Sequence, residues 1–211
     1  KETTTKPSSS SPQQQNEELD VCCICLDELP RDPSKLIRYT CCGKTCCLGC
    51  QRNVEKSKMP DNLKWRCHQC RKPTPTTDKE VFERVREWVE KDKAWAQAHM
   101  AHYYLDGKFG LKQSYVMAAM LFEKAVGRGH SDAMFNLACL HERGQGVVQS
   151  HKKAVKLYTM AAERGHVKAM FNLGNGYIQG RGVDQSYESA RKWWAQAADE
   201  GSEVAVKNLK Q

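Results

Sequence analysis

The sequence predicts a small zinc-stabilised α+β domain followed by an all-α solenoid of helix-turn-helix repeats. Two observations carry this prediction. Ten of the eleven cysteines lie between Cys22 and Cys70, a density that a metal site or a disulfide framework would explain. From about residue 93 onwards the chain repeats itself with a period of 36 residues, as stacked helical repeats do.

The N-terminal segment, residues 1–18, is predicted to be a disordered tail. It is rich in Ser, Thr, Gln and Glu and contains almost no apolar side chains. Burial of so little apolar surface cannot offset the entropy that the chain loses on ordering. The zinc domain is therefore expected over residues 19–75.

Three Cys-x-x-Cys pairs have the spacing of structural zinc ligands: Cys22 with Cys25, Cys47 with Cys50, and Cys67 with Cys70. A pair at this spacing directs two thiolates at one tetrahedral zinc ion, so three pairs supply six of the eight ligands that two ions need. Cys41, Cys42 and Cys46 are the candidates for the missing two ligands.

Disulfide bonds and a redox-active Cys-x-x-Cys are the alternatives to zinc in this segment. The rest of the chain favours zinc, because Cys139 stands alone in a helical repeat and no secretory segment is visible. Residues 20–75 also offer few large apolar side chains. Structural zinc contributes on the order of 10 kcal/mol to folding, so the domain is expected to unfold without it.

The cysteine-rich segment resembles a RING finger of the all-cysteine variant. No histidine lies between Cys25 and Cys67, and Cys42 followed by Gly43 stands shortly ahead of Cys47. RING ligands interleave, so the resemblance implies two structural zinc ions. The first would be held by Cys22, Cys25, Cys47 and Cys50, and the second by Cys41, Cys42, Cys67 and Cys70. Cys46 is an alternative to either Cys41 or Cys42.

The RING resemblance implies a ubiquitin ligase, which forms no covalent intermediate but holds a ubiquitin-loaded conjugating enzyme in a reactive geometry. In that family an Arg often follows the last zinc cysteine and hydrogen-bonds to both the conjugating enzyme and ubiquitin, and Arg71 takes this place here. Ile24, Pro73 and Val54 match positions that contact the conjugating enzyme. From the residues alone, Ile24 also fits a core position and Arg71 a solvated charge.

A linker helix is predicted over residues 76–92. Thr77 followed three residues later by Glu80 forms a capping-box pattern. Apolar residues then recur at helical spacing, at Val81, Val85, Trp88 and Val89. This helix is expected to join the zinc domain to the repeats.

The repeats are predicted over residues 93–211. Residues 131–166 and 167–202 share AMFNL, a Gly-x-Gly-Val turn, Gln-Ser and alanines that lead to a glycine. Residues 94–130 fit more loosely, with one extra residue at KFG, and residues 203–211 begin a further unit. Each unit is expected to form two antiparallel helices whose contact faces carry these residues: Ala133, Leu137, Ala154, Tyr158, Ala161, Ala169, Leu173, Ala190, Trp194 and Ala197.

The period and the Gly-x-Gly turn separate these units from the related 34-residue tetratricopeptide repeat. They resemble the Sel1-like repeat, over about residues 94–211. Solenoids of this kind offer an extended surface to protein partners. The repeats are therefore expected to recruit a protein substrate or an adaptor protein.

No hydrolytic site is predicted in either part. The sequence contains no phosphate loop and no Ser/His/Asp pattern. His102, His141, His151 and the two Gly-His pairs are interpreted as surface or turn residues of the repeats. A non-catalytic zinc-binding scaffold is the main alternative to a ligase, and a zinc-dependent RNA-binding module is a weaker one.

Neither nucleic acid nor membrane is expected as a specific partner. The formal net charge of +8 is scattered and forms no basic stripe with interleaved aromatic residues. No apolar run is long enough to cross a membrane, and the N-terminal residues lack the apolar segment of a signal peptide. An intracellular protein of the cytoplasm or nucleus is the resulting expectation.

Overall fold

A computed structural model describes residues 36–38, 45–47, 52–53, 56, 73 and 75–210. In the N-terminal part, β1 (Leu36–Arg38) and β2 (Thr45–Cys47) form an antiparallel pair. Leu36 is paired with Cys47, and Arg38 with Thr45. Cys46 and Cys47 therefore occupy neighbouring register positions in a strand.

Eight helices follow in residues 75–210: α1 (Asp78–Glu90), α2 (Ala94–Asp106), α3 (Tyr115–Val126), α4 (Ser131–Arg143), α5 (His151–Ala162), α6 (Val167–Gln179), α7 (Tyr187–Asp199) and α8 (Glu203–Leu209). Each of these helices packs against the next one along the chain. The result is an all-α solenoid, as the sequence predicts. None of the described helices is both long enough and apolar enough to cross a membrane.

Helix α1 starts where the capping pattern predicts. The hydroxyl oxygen of Thr77 accepts a hydrogen bond from the Glu80 amide at 3.3 Å. The Glu80 carboxylate in turn accepts from the Thr76 amide at 2.9 Å, one residue earlier than in the usual capping box. Two amides at the helix start thereby gain side-chain partners.

Two side-chain devices recur in the turn inside each repeat. In each repeat the residue before the second helix is a serine whose hydroxyl caps that helix. The three serines are Ser114, Ser150 and Ser186. The side-chain amide of the glutamine before that serine donates a hydrogen bond to a backbone carbonyl oxygen near the end of the first helix. The nitrogen–oxygen distances are 2.7, 2.9 and 2.7 Å in the three repeats. The Gln-Ser pair of the repeat therefore closes the turn and starts the next helix.

Helix α1 occupies the place of the second helix of a preceding repeat. Its N-cap Thr77 is the counterpart of Ser114, and its buried Val85 is the counterpart of the buried Phe122. At the turn after α1, Asp92 has φ of 55°, whereas the equivalent Gly129 has φ of 80°. The helix predicted as a linker is thus the first layer of the solenoid.

Asp92 is held in this left-handed conformation by two side chains. Its carboxylate accepts a hydrogen bond from the Gln97 amide at 2.6 Å and pairs with Arg128 of the next repeat. Asp and Asn tolerate the left-handed region better than most residues other than Gly. Asp92 therefore replaces the usual glycine while tying α1 to the repeat that follows.

The core follows the predicted contact faces. All ten residues that the sequence places on them are buried, and the alanines among them are between 0% and 2% exposed. The Trp194 ring lies so close to Gly174 that a Cβ there would be 2.2 Å from its Nε1 atom. In each of the three repeats, small residues and one large aromatic residue thus fill the core together.

The extra residue of the first repeat also has a structural role. Phe109, with φ of 57°, places its ring 4.4 Å from the Tyr103 ring and 5.9 Å from the Phe82 ring, centroid to centroid. Burial raises the pKa of Tyr103, and the nearby Asp78 adds to the effect. The longer turn therefore packs the first repeat onto α1 through three aromatic rings.

Candidate functional site

Most of the predicted zinc and ligase residues lie outside the described residues. These are Cys22, Cys25, Cys41, Cys42, Cys50, Cys67, Cys70, Ile24, Val54 and Arg71. Cys47 lies in β2, paired with Leu36. The zinc ligand set and the catalytic role of Arg71 stay predictions.

Pro73 is the partner-binding candidate that the structure places. It is exposed, and its carbonyl oxygen accepts a hydrogen bond from the Arg84 guanidinium at 2.9 Å. Arg84 belongs to α1, the first layer of the solenoid. This contact ties the end of the cysteine-rich segment directly to the repeats.

A groove of about 530 Å³ lies at the C-terminal end of the described array, between α6, α7 and α8. Its lining combines amide, guanidinium and phenol groups with apolar and indole surface: Asn175, Gln179, Asn208, Arg191, Tyr187, Ile178, Leu209 and Trp194. The amides and the guanidinium can hydrogen-bond a peptide backbone, and the apolar residues can hold a side chain. These eight lining residues include no acid–base pair.

Two histidines act as helix caps at the junctions between repeats. The Nδ1 atoms of His130 and His166 accept hydrogen bonds from the Ala133 and Ala169 amides, each at 3.3 Å. This role requires that Nδ1 carries no proton. The interpretation of the Gly-His pairs as turn residues is confirmed, and their capping role could not be predicted from spacing.

His141 corrects the sequence interpretation, which made it a surface or turn residue, because it lies in the last turn of α4. It is buried, and its Nδ1 lies 3.2 Å from the Val148 carbonyl oxygen, to which it can donate. The imidazole therefore fastens the turn that follows α4 to the body of the helix. It serves the packing of the repeat, as does the buried His166.

Asp132, at the start of α4, lies between a side chain of α2 and the residue that caps α6. Its carboxylate lies 3.3 Å from His102 Nε2 on α2 and 3.7 Å from His166 Nε2 at the start of α6. Burial acts to raise the pKa of Asp132, but the hydrogen bond from His102 and the neighbouring His166 imidazole outweigh it and hold the pKa below its ordinary value. The ionised carboxylate is thus part of the junction.

Replacement of Asp132 by Asn is expected to destabilise the array by about 1–3 kcal/mol, because hydrogen bonds to a charged group are lost. The pKa of Asp132 is lower in the folded protein than in the unfolded chain, so its carboxylate stabilises the fold above pH ~4. This stabilisation is lost as the pH falls through the folded-state pKa. Urea unfolding at neutral and acidic pH measures the difference in free energy of unfolding between the wild-type chain and Asp132→Asn. Asp184→Asn, at an exposed turn position, is the control. Equal stability of the two variants at neutral pH would contradict this role.

Cys139 is the cysteine of the repeats, and it is structural. Its Sγ lies 3.2 Å from the hydroxyl of Tyr158, which donates to the Glu142 carboxylate at 2.8 Å. Burial raises the pKa of the Cys139 thiol and also that of Tyr158. A thiol with a raised pKa is a poor nucleophile, so Cys139 is no candidate for catalysis.

The Sel1 repeat family matches the chain three times, at residues 96–130, 131–166 and 167–202. These matches cover just over half of the chain and coincide with the helix pairs α2–α3, α4–α5 and α6–α7. A comparison with curated proteins gives no significant match.

Two solved structures of bacterial repeat proteins are similar to the solenoid. A Sel1 repeat protein from Oxalobacter formigenes is 27% identical with a TM-score of 0.59, and the match covers 63% of this chain and 54% of that one. The protective antigen c5321 of uropathogenic Escherichia coli, which displays an SLR fold, is 28% identical with a TM-score of 0.62, over 65% and 29% of the two chains. This chain therefore spans about half or less of each of these proteins.

The cysteine rich protein B of Helicobacter pylori shares the fold at 19% identity, with a TM-score of 0.50 over 64% of this chain and 98% of that one. Three consecutive family matches, the helix pairs and these neighbours agree on one architecture. Sel1 repeats generally mediate protein–protein interaction. The chain belongs to the Sel1 repeat family, and its residues 96–202 form three Sel1 repeats.

Proposed function

We propose that the chain is a RING-type ubiquitin ligase whose Sel1 repeats recruit the protein to be modified or an adaptor. The observation that carries this proposal is the set of Cys-x-x-Cys pairs joined to a protein-binding solenoid. The antiparallel pair of β1 and β2 supports a small α+β domain in the same segment. The contact between Pro73 and Arg84 supports a direct connection between the two parts.

The donor set of the cysteine-rich segment fits zinc. Thiolates in Cys-x-x-Cys pairs are the usual ligands of structural zinc, and four per ion leave no open position for water. Zinc would be held by Cys22, Cys25, Cys47 and Cys50 and by a second set of Cys41, Cys42, Cys67 and Cys70, with Cys46 as an alternative in the second set. Its contribution there is to folding and not to the reaction.

The transfer step is positional in this proposal. Ile24, Val54 and Pro73 contact the conjugating enzyme, and Arg71 donates hydrogen bonds to that enzyme and to ubiquitin. Restriction of the thioester to one reactive orientation lowers the entropic part of the barrier to attack by a substrate lysine. Since the Pro73 carbonyl is hydrogen-bonded to Arg84 of α1, a substrate held on the repeats would stay close to the transfer site.

Autoubiquitination with a panel of conjugating enzymes tests the proposal. The wild-type chain is expected to be active, and Ile24→Ala or Arg71→Ala is expected to lower the rate about tenfold to a hundredfold, because orientation is lost. Lys72→Ala, a neighbouring change of charge, is the matched control and should keep the rate. Thermal unfolding of each variant verifies that the fold is intact.

Silence of the wild-type chain across the panel would overturn the ligase proposal. It would favour a non-catalytic zinc-binding scaffold, which the groove between α6, α7 and α8 also supports, since its amides and guanidinium can bind a peptide. An equal loss of rate in Lys72→Ala and Arg71→Ala would remove the specific role of Arg71.

A further inference from the structure

An exposed apolar patch lies at the junction of the first and second repeats. Val116, Met117 and Met120 on α3 are 55%, 40% and 51% exposed. Val148, in the turn after α4, is 85% exposed. The nearby Gly146 packs against the backbone of Val116, so that a Cβ on it would lie 2.6 Å from the Val116 nitrogen. This contact brings the turn that carries Val148 to the start of α3.

The repeat itself does not require apolar residues at these four positions. The counterparts of Val116, Met117 and Met120 are three lysines in the second repeat, and Glu188, Ser189 and Lys192 in the third. The counterparts of Val148 are Lys112 and Asp184, both exposed. Because the same fold forms with charged or polar residues there, the packing of the repeat does not explain the patch, and exposed apolar patches often mark interaction surfaces.

The surface next to the patch is basic. Lys152, Lys153 and Lys156 on α5 hold the positions equivalent to Val116, Met117 and Met120, and all three are exposed. Neighbouring layers of a solenoid present equivalent positions side by side. A ligand that covers the patch therefore meets three positive charges one layer further on.

We propose that this surface binds an acidic amphipathic helix of a protein partner. The apolar side of that helix would cover Val116, Met117, Met120 and Val148, and its carboxylates would face the lysines of α5. Flexible methionine side chains adapt well to a helix with an apolar stripe. The inference rests on the protein-recruiting role proposed for the repeats and does not depend on ligase activity.

Selection of a displayed library of helical peptides against the full chain tests this inference. Enriched peptides should combine an apolar stripe with a net negative charge. The double change Met117→Ser with Met120→Ser adds no charge, and the fold should tolerate it because both side chains are exposed and Ser189 takes the place of Met117 in the third repeat. Peptide binding should weaken at least about tenfold through lost apolar contact. Lys153→Glu with Lys156→Glu should weaken binding most at low salt. Lys192→Ala, at the same position in the third repeat, is the control.

Three results would overturn the inference. One is that no peptide is enriched or that enriched peptides ignore the methionine changes. Another is that the patch instead binds phosphatidylserine vesicles, with binding lost in the double methionine variant. The last is self-association of the chain in sedimentation that the same variant abolishes. Because binding is read without ubiquitin transfer, failure here and failure of the ligase assay are distinguishable.

Discussion

Removal of zinc with a chelator is expected to unfold residues 19–75 and to leave the repeats folded. Structural zinc contributes on the order of 10 kcal/mol, which matches the whole stability of a small domain. The repeats have their own core, in which alanines such as Ala133 and Ala161 are fully buried. Hydrogen exchange should therefore speed up in the cysteine-rich segment alone, while helical circular dichroism stays almost unchanged.

Return of zinc in excess, but not of magnesium, should restore slow exchange in that segment, since thiolates select zinc. Slow exchange in residues 19–75 that persists after chelation under non-reducing conditions, and is lost on reduction, would favour disulfides. Loss of the helical signal on chelation would show that the solenoid depends on the metal, against this account.

Replacement of Gly182 by Ala is expected to destabilise the repeats by about 2–5 kcal/mol. Gly182 has φ of +74°, and a Cβ there would lie 2.4 Å from the carbonyl carbon of His151 at the start of α5. The left-handed conformation costs a non-glycine residue about 1–2 kcal/mol, and forced separation of two backbones adds about 1–3 kcal/mol. Urea unfolding of the full chain, followed by helical circular dichroism, measures the loss.

Gly110→Ala is the matched control for this change. Gly110 occupies the same turn position in the first repeat and has φ of +77°, but no atom lies within 4 Å of its Cβ position. The free energy of unfolding of Gly110→Ala should fall only by the cost of the left-handed conformation, about 1–2 kcal/mol. An equal loss at Gly110 and Gly182 would mean that the contact between neighbouring repeats contributes nothing.

The helices of the repeats could be predicted because their signals are local. Alanines at helical spacing, such as Ala154 and Ala161, define the contact faces, and the Gly-x-Gly turns mark the ends. The repeated pattern adds strength, since the same residues recur after 36 positions. All predicted contact residues of the repeats are indeed buried.

The place of α1 in the solenoid could not be predicted in this way. Its turn carries Asp92 where the other repeats carry a glycine, and only the contacts with Gln97 and Arg128 show why. Its core residue Val85 replaces the aromatic Phe122 of the next layer. The periodic signal is therefore weak, although the geometry is the same.

The candidate binding surfaces depend on contacts between distant residues. The groove brings together α6, α7 and α8, and the role of Asp132 depends on His102 of α2 and on His166 at the start of α6. The spacing of residues along one helix does not predict such contacts between helices. By contrast, the zinc and ligase residues rest on their spacing and on the RING resemblance, and they are predictions for experiment.

The zinc content of the purified chain tests the central claim most directly. Mass spectrometry under native and denaturing conditions, with elemental analysis alongside, should give two zinc ions per chain and free thiols after their removal. A content near zero or one, or cysteines bonded to one another across residues 22–70, would contradict the paired zinc sites and the ligase proposed from them.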